Sequence, residues 1–220
     1  MEHVSDTYLT VKGEAQSQFV EQRSRFISFL WHVTTPDEVK DCLAGLQKEY
    51  YDARHICYAY MLGAERTDWR ANDNGEPSGT AGKPILGQIN SACLTDVLIA
   101  VVRYFGGVKL GTSGLTEAYR SGAAQVIEKA EKVTAYVERD VTVMFTYNMM
   151  NVVMKAAKDL DVQIGTQDWG AFNHEQSQRT FDCRMVFRTR LSVADELEAK
   201  LEGVARTQPD PELMIVRNKQ

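Results

Sequence analysis

Two glycine-rich stretches hold the residues best suited to chemistry. The first is "DNGEPSGTAGKPIL", Asp73 to Leu86, and the second is "FGGVKLGTSGL", Phe105 to Leu115. Gly75, Gly79 and Gly82 mark the first, and Gly106, Gly107, Gly111 and Gly114 crowd the second. Each stretch delivers the chain onto an expected helix start, at Pro84 and near Gly114. A helix N-terminus exposes unpaired N–H groups and carries partial positive charge. Glycine lets those groups meet a ligand with no side chain between. Together these are the ingredients of an anion or phosphate site. Lys83 and Lys109 add charge, and Ser78, Thr80, Thr112 and Ser113 add hydroxyls. Arg103 closes the strand before the second loop, and Arg120 lies on the helix after it. The competing reading is architectural, because glycines also serve tight turns and close helix packing.

Familiar nucleotide motifs fail at specific positions. A Walker A loop beginning at Gly106 needs lysine where Thr112 stands. The spacing Gly107, Gly111, Gly114 is not that of a dinucleotide fingerprint. "LGTSGLTEA" is similar to the phosphate loop of GHMP-type kinases, but the catalytic acid of those enzymes has no counterpart. Asp73 and Glu76 are two acids in one loop and read as solvated. His55 and Cys57, two apart on a strand, would share a face and could form a nucleophile pair. His3, His32 and His174 are scattered, so no metal site is expected. No catalytic residue and no cofactor is assigned.

Composition sets wider limits. The chain has 220 residues, a net charge of −5 and 44% apolar residues, enough for a packed core. Residues 1–135 carry 14 basic and 17 acidic groups and residues 136–220 carry 11 and 13, so neither part is a basic module. A nucleic-acid site must be a local patch. Cys42, Cys57, Cys93 and Cys183 form no C-x-x-C pair and read as buried free thiols in a reducing compartment. The N-terminus lacks the pattern of a signal peptide. The longest apolar run, Val97 to Val102, is too short for a bilayer. A cytoplasmic protein with no membrane contact is expected.

The elements that would position the loops follow from periodicity. "QFVEQRSRFISFLWHV" reads as strands. Thr35, Pro36 and Glu38 form a capping box for a helix with Val39, Leu43, Leu46 and Tyr50 inward. "HICYAYML" is a strand. A short helix from Pro84 faces Ile85, Leu86, Ile89 and Cys93 inward. "DVLIAVVRYF" is a strand covered on both faces, and a long helix runs from about Gly114 to Lys132. After a boundary near 134–138 the order becomes β-α-β-β-α-β, the ferredoxin-like pattern. There Asn148 and Ser192 are the expected helix caps. In "RTFDCRMVFRTRL", Phe181, Cys183, Met185 and Phe187 point inward, while Arg184, Val186, Arg188 and Arg190 share the open face. RNA binding in the RRM mode needs aromatic residues on that face. Glu138 and Asp140 on the neighbouring strand are expected to neutralise part of it. The fold class is α+β in two domains, 1–135 and 136–220.

At "NGEPSGTAGKPIL" and "VVRYFGGVKLGTSGLTEAY" the chain strongly resembles the IMPACT family in its bacterial YigZ-type form. "SRFI" and "HICYAY" fit the same family, which brings Arg25, His55, Gly75, Glu76 and Tyr104 into the candidate anion- or partner-binding set. The resemblance spans the whole chain. It implies an N-terminal ribosomal-protein-like and GHMP-kinase-like α/β sandwich and a small C-terminal ferredoxin-like domain. Eukaryotic members regulate translation under stress by binding a large activator of an initiation-factor kinase, a pathway that bacteria lack. The resemblance therefore implies a non-enzymatic protein near translation, with RNA, the ribosome or a translation-related protein as partner. The alternative is an enzyme acting on a phosphorylated small molecule or nucleotide at the same loops. The sequence leaves the oligomeric state open.

Overall fold

The computed structural model describes residues 6–175, 177, 179–207 and 212–216. The chain divides into two compact units. One is Thr7–Ala135, and the other takes Tyr136–Gln220 together with Asp6. Asp6 belongs to the second unit because its carbonyl accepts from the Val137 amide and its carboxylate from the Ser192 hydroxyl.

The first unit is built on a five-stranded antiparallel sheet. Its strands are β2 (Glu14–Glu21), β3 (Ser24–His32), β4 (His55–Leu62), β5 (Asp68–Asn72) and β6 (Val97–Tyr104), in the order β2-β3-β6-β4-β5. A separate two-stranded sheet pairs β1 (Thr7–Val11) with β7 (Lys132–Tyr136). The central β6 alternates between two cores. Val97, Ile99 and Val101 join one, while Leu98, Ala100 and Val102 join the clusters on the other face. Helices α2 (Gly82–Ser91) and α3 (Gly111–Lys129) cover the first face. Helix α1 (Pro36–Glu49) covers part of the second, supplying Val39 and Leu46. The capping box at Thr35 and Glu38 is present as expected.

The second unit has the order β8 (Glu138–Phe145), α4 (Met150–Asp159), β9 (Gln163–Phe172), β10 (Phe181–Arg190), α5 (Leu191–Arg206) and β11 (Leu213–Val216). Its sheet runs β11-β8-β10-β9, which is the ferredoxin-like arrangement. Phe181, Cys183, Met185 and Phe187 are all buried, and the last three pack against α4 and α5. On the opposite face Arg188 makes two hydrogen bonds to Asp140, at 2.8 and 3.1 Å, and Arg190 stacks over the Tyr136 ring. Two of the three arginines on this face are therefore engaged within the unit. Among the described residues no helix is long and apolar enough to cross a membrane.

Several expectations need correction. β5 was not expected, because it is a short edge strand with its first three residues exposed and no alternation to read. Asn148 is not a cap: a 3-10 turn, Tyr147–Met149, leads into α4, and Asp182 accepts from the Tyr147 amide instead. Ser192 lies inside α5, which begins one residue earlier, and its hydroxyl turns to Asp6. Cys57 and Cys183 are buried, but Cys42 is half-buried and Cys93 exposed, because α2 ends before Cys93 can turn inward.

Glycines at close approaches differ from those in open space. A Cβ on Gly106 would collide with the backbone carbonyl of Arg23, whereas one on Gly87, inside α2, would meet nothing within 4 Å. Gly106→Ala should destabilise by about 1–3 kcal/mol, or more if the loop cannot shift. Gly87→Ala should stabilise by about 0.5–1 kcal/mol. Urea unfolding of the two variants checks both signs.

Candidate functional site

The two glycine loops meet through one buried carboxylate. Glu76 Oε1 accepts from Arg103 Nη1 at 2.7 Å and from the Tyr119 hydroxyl at 2.9 Å. Side-chain exposure of the ion pair is 7% for Arg103 and 4% for Glu76. Arg103 comes from the end of β6 and Tyr119 from α3, so the acid fastens the first loop to the strand and helix that flank the second. The guanidinium lies between the rings of Phe26 and Phe105, at 5.6 and 5.7 Å from their centroids. Arg103 Nε is buried without a hydrogen-bond partner. Cys57 completes the cluster, with its thiol against the Asp73 carbonyl at 2.9 Å and the Tyr119 oxygen at 3.3 Å. Burial pushes that thiol up to about 12, so it stays protonated at neutral pH. Burial also pushes the Tyr119 hydroxyl up. The reading of Asp73 and Glu76 as solvated acids is thus wrong for Glu76, because partners 27 and 43 residues away enclose it.

Asp73 has a different task. Its carboxylate accepts from the amides of Gly79, Ala81 and Gly82 at 2.7, 3.0 and 2.8 Å. It therefore fills the N-terminus of α2, where the sequence reading expected an external anion. Burial acts to raise its pKa, but the three N–H bonds and the charge of Lys83 outweigh that, and the net shift is downward. Among the described residues no side chain accepts from the first-turn amides of α3. Its N-cap, Leu110, provides no side-chain cap, and its first turn contains no acid.

That open end borders a pocket of about 410 Å³. Glu76 and Pro77 reach it from the first loop, Phe105, Lys109, Leu110, Gly111 and Thr112 from the second, and Arg54 and His55 from the start of β4. Arg103 lies in its floor beside Leu115. His55 Nδ1 is 2.9 Å from the Asn74 carbonyl. A carbonyl only accepts, so Nδ1 carries the hydrogen and the neutral ring presents Nε2 as an acceptor. Because His55 Nδ1 is tied to Asn74 and the Cys57 thiol to Asp73 and Tyr119, the two are not hydrogen-bonded as a nucleophile pair.

The predicted residues separate into distinct places. His55, Glu76, Arg103, Lys109 and Gly111 line the pocket, with Ser113 exposed on the adjoining turn of α3. Gly75, with φ of +83°, lies against the His55 ring. Ser78, Gly79 and Lys83 line another groove with Trp69 and Asp73, so Lys83 does not join the pocket. Thr80 donates to the Pro77 carbonyl at 2.6 Å, and Gly82 packs on the Asn72 backbone. Gly106, Gly107 and Gly114 shape the second loop and line neither recess. Arg120 pairs with Glu117 on its own helix. Arg25 stacks on Tyr104, whose hydroxyl donates to Asp52. Tyr104 follows Arg103 on β6, so this trio lies on the opposite face of the sheet. The sequence reading missed Arg54, Pro77, Phe105, Leu110 and Leu115 as lining residues. An aromatic residue opening a glycine loop was the available signal for Phe105, which is 57% exposed.

Comparison with known proteins adds an independent line. Residues 22–127, which include both loops, match the Impact N-terminal domain family. IMPACT family member YigZ of Escherichia coli is 33% identical over 153 residues, 69% of this chain and 75% of that protein. The chain belongs to the IMPACT family. An IMPACT family member of Haemophilus influenzae is 32% identical over 76% of this chain and 82% of its own length. IMPACT family member YvyE of Bacillus subtilis is 40% identical over a segment that covers 54% of this chain and 55% of that protein. A crystal structure of a hypothetical protein aligns over 99% of this chain and all of its own, with a TM-score of 0.72 and 26% identity. The fold of both units is therefore shared with that solved protein.

The Asp73 cap generates a pH-dependent prediction. A carboxylate with a lowered folded pKa stabilises the fold above its unfolded value, and this contribution disappears as pH falls through the folded value. Asp73→Asn should cost about 1.5–3 kcal/mol at neutral pH. The gap between variant and parent should narrow below about pH 4, as acid unfolding curves would report.

Proposed function

We propose that this IMPACT protein is a non-enzymatic binding protein acting near translation, and that its pocket receives single-stranded RNA. The carrying observation is that an exposed aromatic ring, an uncapped helix N-terminus and two exposed cations meet at one recess. Phe105 offers a face on which a base can stack. The first-turn amides of α3, with Lys109 and Arg54, offer donors and charge to the adjoining phosphate. The buried Glu76–Arg103 pair supports this surface from beneath and is neutral as a pair, so the exposed cations set the local field. The family resemblance supplies the link to translation, with a ribosomal or translation-factor partner as the protein context of that RNA.

A second reading, an enzyme acting on a phosphorylated small molecule or nucleotide, draws on the His55 Nε2 lone pair at the pocket wall. Turnover of a nucleotide that is lost in His55→Gln would establish it in place of the first.

Polarisation of a labelled single-stranded RNA oligomer tests the RNA reading. Binding should weaken between about 50 and 200 mM salt, and Lys109→Glu should flatten the logarithmic slope by roughly 0.7. Phe105→Ala should cost about 1–3 kcal/mol of binding with the circular dichroism unchanged. Affinity indifferent to salt and to both substitutions would exclude this mode.

A further inference from the structure

The two faces of the five-stranded sheet are covered unequally. Helices α2 and α3 pack across one face, and α3 reaches edge strand β2. On the other face α1 packs over β3, β6 and β4 and leaves β2 bare. Glu14, Gln16, Gln18 and Val20, which alternate toward that side of β2, are all exposed. Between β2 and α1 lies a groove of about 560 Å³. Its floor is Phe29 stacked on Trp31, with ring centroids 5.5 Å apart and planes 9° apart. Its flanks carry Glu14 on the strand and Glu49 on the helix, and among the described residues no ion pair holds either carboxylate.

Two further features fit an occupant of definite charge. The thiol of Cys42, in the groove wall, is pushed up by burial and then by the carboxylates of Glu38, Asp41 and Glu14. Glu14 and Glu49 are the charged residues that line the groove, and both are acidic. Gly45 stands in the interior of α1, facing the same groove, and a Cβ there would meet nothing within 4 Å. A helix-interior glycine is destabilising relative to alanine, and no contact with the rest of the chain requires this one. Its effect is to keep the helix wall low beside the aromatic floor.

We propose that this groove receives arginine or lysine side chains from an extended segment of a basic protein partner. Aromatic faces attract cations, and carboxylates on both walls complete the charge match. The unpaired backbone edge of β2 offers hydrogen bonds to an extended segment running alongside. The same charges repel the phosphates of a nucleic acid, so this surface is independent of the pocket at the glycine loops and lies on the other face of the sheet.

The test uses the full chain and a labelled short peptide of alternating arginine and threonine, read by polarisation. The controls are the same peptide with glutamate for arginine and a single-stranded RNA oligomer. The basic peptide should bind in a salt-sensitive manner, and neither control should compete with it. Glu14→Lys with Glu49→Lys should weaken binding at least tenfold. Gly45→Leu, which fills the groove, should weaken it comparably with the thermal midpoint unchanged or raised, whereas Lys109→Glu should leave it unaltered. Glu14→Gln with Glu49→Gln keeps the side-chain shapes and should still weaken binding several-fold, which covers the case of a larger substitution disturbing the fold. Failure to bind the basic peptide, equal binding of the acidic one, or affinity unmoved by Gly45→Leu and by both carboxylate pairs would overturn the proposal.

Discussion

The buried pair of Glu76 and Arg103 is the constraint around which the first unit is arranged. Removing two charges from water is expensive, and the attraction between them offsets the loss only when geometry is good and remaining atoms find partners. Here the 2.7 Å ion pair is joined by the Tyr119 hydroxyl, and the Phe26 and Phe105 rings flank the guanidinium. The stability gained is small in such an arrangement, but the positional information is large. A loop near residue 76 must close over the end of β6 and over α3, because the alternative leaves a bare charge inside the protein. The second loop then has a fixed floor, and the pocket has a fixed shape.

Against that frame, the two helix N-termini have opposite fates. Both were candidates for an external anion, and their glycine patterns are similar. One carboxylate separates them. Asp73 occupies the amides at the start of α2, so Lys83 faces an acid already in place. Among the described residues no side chain does the same for the amides of Gly111, Thr112 and Ser113. Exposed donors and charge therefore concentrate at the second loop, where Lys109 and the Phe105 ring also stand.

What the sequence made legible was local. The capping box at Thr35 and Glu38 needs only neighbours within one turn, and it was readable. The alternation of Phe181, Cys183, Met185 and Phe187 is periodic, and it placed the core of the second sheet. The helix starts at Asn148 and Ser192 failed because partners from distant segments, Asp182 and Asp6, took over the polar groups there. Glu76 was misread for the same reason, since its partners come from β6 and α3. Arg25 and Tyr104 illustrate a related limit: the family resemblance put them in the site, while strand alternation puts Tyr104 and Arg103 on opposite faces. The two loops stood out by their glycines; their joining through Glu76 and the division of labour between them did not.

On the reading proposed above, an anion enters at the N-terminus of α3 and not at that of α2. Amide shifts in a heteronuclear NMR titration with inorganic phosphate measure this directly. The amides of Gly111, Thr112 and Ser113 should move together and saturate, with Gly79, Ala81 and Gly82 unchanged because Asp73 holds them. Saturable shifts at Gly79, Ala81 and Gly82, or none at the start of α3, would contradict it.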